Sequence, residues 1–173
     1  MSGAKTAVGS CVGESRFSLD RDGELIVTDN SMSESCSGVT IYTDGASRGN
    51  PGYAGIGAVI LDANGSCLME LSEWIGIATN NEAEYTALIK ALEAARQLCA
   101  KKVNVLTDSE LMVRQMTGEY AVKSQRLRPL FLQVQRLKGE FSGFTIKHVG
   151  RERNPRADRL ANLGIDSQLN ELD

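Results

Sequence analysis

The sequence predicts an α/β fold: a mixed sheet in which an antiparallel meander is extended by parallel strands that alternate with helices. Three observations carry this. Val39 to Trp74 reads as three successive strands separated by turn residues. From Glu82 onward, helical periodicity alternates with short apolar strands. Two of the strands, Val39 to Asp44 and Val103 to Asp108, end in an aspartate. Strands joined by tight turns pair antiparallel and strands joined through helices pair parallel, so the combination gives a mixed sheet.

Residues 1–37 are rich in Gly, Ser, Asp and Glu and sparse in apolar residues. They are expected to form a weakly ordered N-terminal extension, or a small hairpin of Phe17-Ser18-Leu19 and Leu25-Ile26-Val27 about Asp22-Gly23. The stretch SMSESCSG reads as a linker. At Val39 the texture changes. Val39, Ile41 and Thr43 would line one face of a strand, with Thr40, Tyr42 and Asp44 on the other. Gly45, Gly49, Asn50-Pro51 and Gly52 then permit tight turns and close backbone approach. Gly55 to Leu61 is the second strand, Asp62-Ala63-Asn64-Gly65 a hairpin signal, and Cys67 to Trp74 the third strand.

Thr79, Asn80 and Asn81 are candidate N-caps for a helix from about Glu82 to Cys99. Leu88, Ala91, Leu92, Ala95 and Leu98 make its apolar stripe, with Ala87 and Ala94 allowing close packing. Glu84 falls on the buried edge of that helix, which solvent-face duty does not explain. Val103 to Asp108 is the fourth strand. Ser109 caps a short helix from Glu110 to Met116, ended by Gly118. Arg126 to Lys138 is a helix with Pro129 in its first turn and Leu127, Leu130, Phe131, Val134 and Leu137 inward. Phe144 to Val149 is the fifth strand. Asn154 caps and Pro155 opens the last helix, expected to run to about Ile165. The domain expected is thus residues 38–166, with 167–173 as a frayed tail.

The chain has 173 residues, 42% hydrophobic and 24% charged, as expected of one globular domain with a real core. No apolar run approaches the roughly 18–20 residues that span a bilayer, and no signal-peptide core is visible near the start. Four cysteines, Cys11, Cys36, Cys67 and Cys99, show no C-x-x-C spacing, which argues against a zinc site or a disulfide framework. A reducing cytoplasm and a monomer are expected. The single histidine excludes multi-histidine zinc chemistry, and neither a P-loop nor a G-x-S-x-G elbow is present. Net charge is -3, yet Lys123 to Arg159 holds ten Lys/Arg against three Asp/Glu. That surplus suits either a bound polyanion or a solvated helix face.

One carboxylate at a strand end reads more readily as a cap or a surface ion pair than as a metal ligand, so the rest of the chain must decide. Asp44 and Asp108 each end a strand, Glu84 faces inward near a helix start, and Asp158 sits one turn into the last helix. If the strands of Asp44 and Asp108 are parallel neighbours, both acids emerge at one sheet edge. Clustered carboxylates repel one another and take up protons unless cations are present. Oxygen-only ligands suit Mg²⁺ or Mn²⁺, and a pair of such ions can promote phosphodiester hydrolysis.

The segments YTDGASRGNPG, TNNEAEYTALIKAL, LTDSEL and HVGRERNPRADRLAN resemble, in order, the four signature blocks of type 1 ribonuclease H. The resemblance covers about residues 38–165 and is closest to the shorter archaeal and plant-like branch, which lacks a basic protrusion. It implies the ribonuclease H-like fold, a five-stranded mixed sheet (antiparallel meander plus parallel strands) with helices on both faces, and endonucleolytic cleavage of the RNA strand of RNA–DNA hybrids, leaving 5′-phosphate and 3′-hydroxyl ends. It implies two Mg²⁺ ions, with Mn²⁺ as substitute, held by Asp44, Glu84, Asp108 and Asp158. His148 matches a histidine thought to help proton transfer or product release. Gly45, Asn50, Asn80 and Asn81 match positions that contact the hybrid, and Ala46, Ser47 and Arg48 lie in the same loop. Glu110 stands where many relatives have Gln, so its carboxylate is either a lost donor or an added metal contact. Without the basic protrusion, hybrid affinity would fall to Lys123, Arg126, Arg128, Arg151 and Arg153. A catalytically quiet binding module on this fold, or a DNA nuclease, are the rival readings.

Overall fold

The computed structural model describes residues 37–172, and before them the backbone of three short strands, β1 (Ala7–Gly9), β2 (Phe17–Leu19) and β3 (Leu25–Val27). The meander is β4 (Gly38–Gly49), β5 (Gly52–Leu61) and β6 (Cys67–Ala78). Then follow α1 (Asn80–Gln97), β7 (Lys102–Thr107), α2 (Glu110–Met116), α3 (Leu127–Lys138), β8 (Gly143–His148), a 3-10 turn at Arg151–Arg153 and α4 (Pro155–Leu172). The five-stranded mixed sheet has the order β6-β5-β4-β7-β8, with β1 added along the outer edge of β6. β4, β5 and β6 pair antiparallel, and β4, β7 and β8 pair parallel. β2 and β3 pair antiparallel with Phe17 opposite Val27. The expected linker lies, up to residue 36, outside the described residues.

Alternation along β4 sends Val39, Ile41 and Thr43 into the core beneath α1. There Ala87, Ala91, Ala94 and Ala95 present small side chains, so α1 lies close to the sheet, and Leu88 and Leu92 fill the space beside them. Leu127, Val134 and Leu137 of α3 complete this layer. The opposite face carries α4. Its approach is set by Gly57, where an added Cβ would fall 2.1 Å from the Ala157 carbonyl oxygen. Ala157, Ala161 and Ile165 are fully buried there.

Four expectations change. β4 does not stop at Asp44 but pairs with β5 as far as Gly49, because the glycines extend the hairpin before the turn at Asn50-Pro51. Only its pairing with β7 ends at Thr43. α1 begins at Asn80, two residues early, because Thr79 caps it through a capping box: Thr79 Oγ1 accepts from the Glu82 N–H at 3.2 Å, and Glu82 Oε2 accepts from the Thr79 N–H at 2.7 Å. Asn154 does not use its side chain to cap α4. Its amide donates to the Thr43 carbonyl at 2.9 Å and so ties the start of α4 to β4. Finally, α4 continues to Leu172, so most of the expected tail is helix.

Candidate active site

Parallel pairing of β4 with β7 sets Thr43 beside Thr107, so the next residues, Asp44 and Asp108, come side by side where the β4–β7 pairing ends. β4 continues against β5 while β7 ends, and a cleft opens in the space β7 vacates. It has a volume of about 420 Å³ and is lined by, among others, Asp44, Glu84, Asp108, Ser109, Arg151 and Asp158.

Glu84 reaches this cleft because α1 rests directly on Gly45. A Cβ there would fall 2.3 Å from both the Ala83 carbonyl carbon and the Glu84 nitrogen, so no larger residue fits without moving α1. The Gly45 N–H also donates to the Glu84 carboxylate. Carboxylate oxygens of Asp44, Glu84 and Asp108 consequently lie within 4.8 Å of one another. Asp44 and Glu84 are each 4% exposed. Burial, with the charges of Asp108 and Asp158 adding to it, pushes the Asp44 carboxyl up to about 8. Glu84 is pushed well above the usual carboxylate range, first by burial and then by Asp44 and Asp108.

A divalent cation fits this donor set. Glu84 Oε2 and Asp108 Oδ1 are buried and have no hydrogen-bond partner. Buried acceptors without partners are costly, and an all-oxygen cluster is what a hard cation requires. Asp158, the fourth acid expected, is not within that close group. It lines the same cleft from α4, half-buried and near enough to Asp44 for its charge to help hold that carboxyl up, with Oδ1 accepting from Arg151 at 3.1 Å.

Of the other expected positions, Gly45, Ala46, Ser47 and Asn80 line the cleft. Ser47 Oγ reaches the Ala78 carbonyl at 2.7 Å and so also ties the ends of β4 and β6 together. Asn50 Oδ1 accepts from the Asn80 N–H at 3.2 Å, joining the β4–β5 turn to the start of α1. Asn81 is exposed and does not line the cleft. Arg48 pairs with Asp166 of α4 rather than facing the cleft. Glu110 is exposed and held by Arg114, whose Nε and guanidinium NH2 approach it at 3.0 and 2.7 Å. His148 is exposed at the end of β8, beside Thr107, and its charge is felt by Glu110. Sequence reasoning missed Asn162, which lines the cleft and donates to the Asp158 carbonyl at 3.0 Å. Its spacing of four from Asp158 on one helix was the available signal.

A family model described as reverse-transcriptase-like matches residues 42–164. A curated ribonuclease H of Methylococcus capsulatus is 36% identical over 152 residues, covering 80% of this chain and 96% of that one. The chain belongs to the ribonuclease H family. Among solved structures, an LC11-RNase H1 in complex with RNA/DNA hybrid is 48% identical with a TM-score of 0.73, covering 76% of this chain and 99% of that one. A bifunctional protein of Mycobacterium tuberculosis is 47% identical over 130 residues, which are 75% of this chain. The match spans 36% of that protein, about a third of its length. Within the family, the cleft between β4, β7, α1 and α4 is this chain's candidate catalytic centre. Among the described residues, no helix is long and apolar enough to cross a membrane.

Proposed function

We propose that this chain is a ribonuclease H that hydrolyses the RNA strand of RNA–DNA hybrids endonucleolytically, leaving 5′-phosphate and 3′-hydroxyl ends. The observation that carries the proposal is the convergence of Asp44, Glu84 and Asp108 oxygens within 4.8 Å. These three, with Asp158 from α4, would hold two divalent cations, Mg²⁺ or in its place Mn²⁺. When bound, such ions supply the positive charge that lets a phosphodiester approach the carboxylates and that assists attack by water on phosphorus. Asp44 and Glu84, buried and proton-retaining without metal, give up protons as the site fills. The bond from phosphorus to the 3′ oxygen then breaks, and that oxygen leaves with a proton. His148, exposed at the end of β8, is suited to deliver that proton or to help the product depart.

Recognition of RNA would fall to the groups beside the acids. Gly45, Ala46 and Ser47, with the Asn50–Asn80 bridge and Asn81, offer amides and N–H groups to 2′-hydroxyls and minor-groove edges. Lys123, Arg128 and Arg153 are exposed and suit phosphate contacts. Arg126, 3.7 Å from Glu82, and Arg151, on Asp158, would exchange those partners for phosphate. The catalytic unit is proposed as residues 38–166, working as a monomer in the cytoplasm, where its thiols stay reduced.

The test is cleavage of one labelled RNA strand presented as hybrid, as duplex RNA and as single strand, with Mg²⁺, Mn²⁺ or EDTA. Hybrid-restricted, metal-dependent cutting is expected. Asp108→Asn removes charge at nearly constant volume, so it should abolish cutting and leave the melting temperature close to that of the parent. Full activity in that variant would refute the carboxylate site. Hybrid binding without cutting by the parent chain would identify a binding module instead.

A further inference from the structure

The residue after Glu84 makes a buried contact that the proposed reaction does not use. Tyr85, the neighbour of Glu84 on α1, donates its hydroxyl to Gln115 Oε1 of α2 at 2.8 Å. Tyr85 is 1% exposed and Gln115 6% exposed. Burial pushes the Tyr85 hydroxyl up to about 12, so it remains a donor across the range in which proteins work.

α2 has seven residues, too few to hold its place by helix propensity alone. Its start is fastened to the end of β7: the Ser109 N–H donates to Thr107 Oγ1 at 3.2 Å, and Ser109 Oγ accepts from the Met112 N–H at 3.3 Å. Met112 and Met116 anchor it in the core, but apolar contacts tolerate sliding and rotation. The Tyr85–Gln115 hydrogen bond is directional and spans from α1 to α2. One helix carries Glu84 and the other follows directly from Asp108.

We infer that Tyr85 and Gln115 are positioning residues for the carboxylate site, a buried strut that sets the separation of Asp108 from Glu84 and thereby the affinity for divalent cation. The inference rests on the proposed metal-dependent function. Partners that orient metal ligands without touching the metal commonly govern affinity about tenfold or more. Losing one end of the strut leaves a buried polar group unpaired, whereas replacing both ends with apolar groups removes that penalty without restoring the alignment.

The experiment measures Mn²⁺ binding to the full chain without nucleic acid, from the loss of the free-ion electron paramagnetic resonance signal. Melting temperature is recorded alongside. Tyr85→Phe should weaken Mn²⁺ binding about tenfold. The double variant Tyr85→Phe/Gln115→Met should recover much of the lost melting temperature but not the affinity. Ile165→Val, in the core under α4 and away from the acids, serves as the stability-matched control and should bind as the parent does. With hybrid substrate, Tyr85→Phe should raise the Mg²⁺ concentration for half-maximal rate while kcat at saturating Mg²⁺ stays within about twofold. Parental affinity in Tyr85→Phe overturns the strut, as does equal weakening by Ile165→Val. A parent chain that binds Mn²⁺ but leaves hybrid uncut refutes the proposed activity alone, and the binding comparison still decides the strut. Failure of the parent to bind Mn²⁺ overturns both.

Discussion

Asp44 and Glu84 are buried among like charges, a cost that either a proton or a bound cation relieves. In the metal-free protein, Asp44 retains its proton to about pH 8, against an ordinary value of 3.8. The folded state therefore binds more protons than the unfolded chain between those values, and stability falls as pH rises through that window. Thermal unfolding in EDTA should show the melting temperature declining from pH 5 to pH 8, and saturating Mn²⁺ should flatten the decline. Equal slopes with and without metal would contradict the assignment. Gly45 makes the complementary case. Its missing side chain is what lets α1 seat Glu84 beside Asp44. Gly45→Ala should destabilise the fold by about 1–3 kcal/mol through overpacking. It should also weaken Mn²⁺ binding, because relief of the clash moves Glu84. A variant that unfolds at the parental temperature and binds metal normally would mean that α1 gives way without consequence.

At the scale of elements, the site depends on where helices begin and strands stop pairing. The Thr79–Glu82 capping box fixes the first turn of α1, and Glu84 follows within the next turn. Thr79→Ala should cost about 1 kcal/mol, read by denaturant unfolding, with little change in cleavage at saturating metal. The sequence named Thr79 as one of three possible caps. The choice fell to it because its reciprocal partner, Glu82, stands three residues on. The acid-bearing end of β4 was legible as a strand next to glycines. Its continuation to Gly49 was not, because that depends on pairing with β5 rather than on local propensity. Asn154 shows the same limit. As a residue before proline it reads as a cap, yet its amide finds the Thr43 carbonyl across the sheet.

For the whole molecule, charge is unevenly placed. The first 37 residues hold three basic and six acidic side chains, so the remainder is balanced at sixteen of each. Within that remainder, the basic surplus lies in the half of the chain that supplies α3, the 3-10 turn and α4. Hybrid binding should therefore weaken steeply with salt, and Lys123→Ala and Arg128→Ala should each reduce the slope of log affinity against log salt by about one. Unchanged slopes would place the phosphate contacts elsewhere.

The α/β class, the strand and helix order, and the unusual places of Asp44, Glu84, Asp108 and Asp158 were legible before any fold was known. Periodicity, turn chemistry and local motifs are written in neighbouring residues, so they can be read without a fold. The fold was needed to show that Asp44, Glu84 and Asp108 close to within 4.8 Å, with Asp158 beside them and paired with Arg151. It also decided that Arg48 turns to Asp166 and that Tyr85 meets Gln115. These outcomes follow from parallel pairing of β4 with β7 and from helix seating on Gly45 and Gly57. Both are contacts between distant parts of the chain, which local sequence preference does not encode.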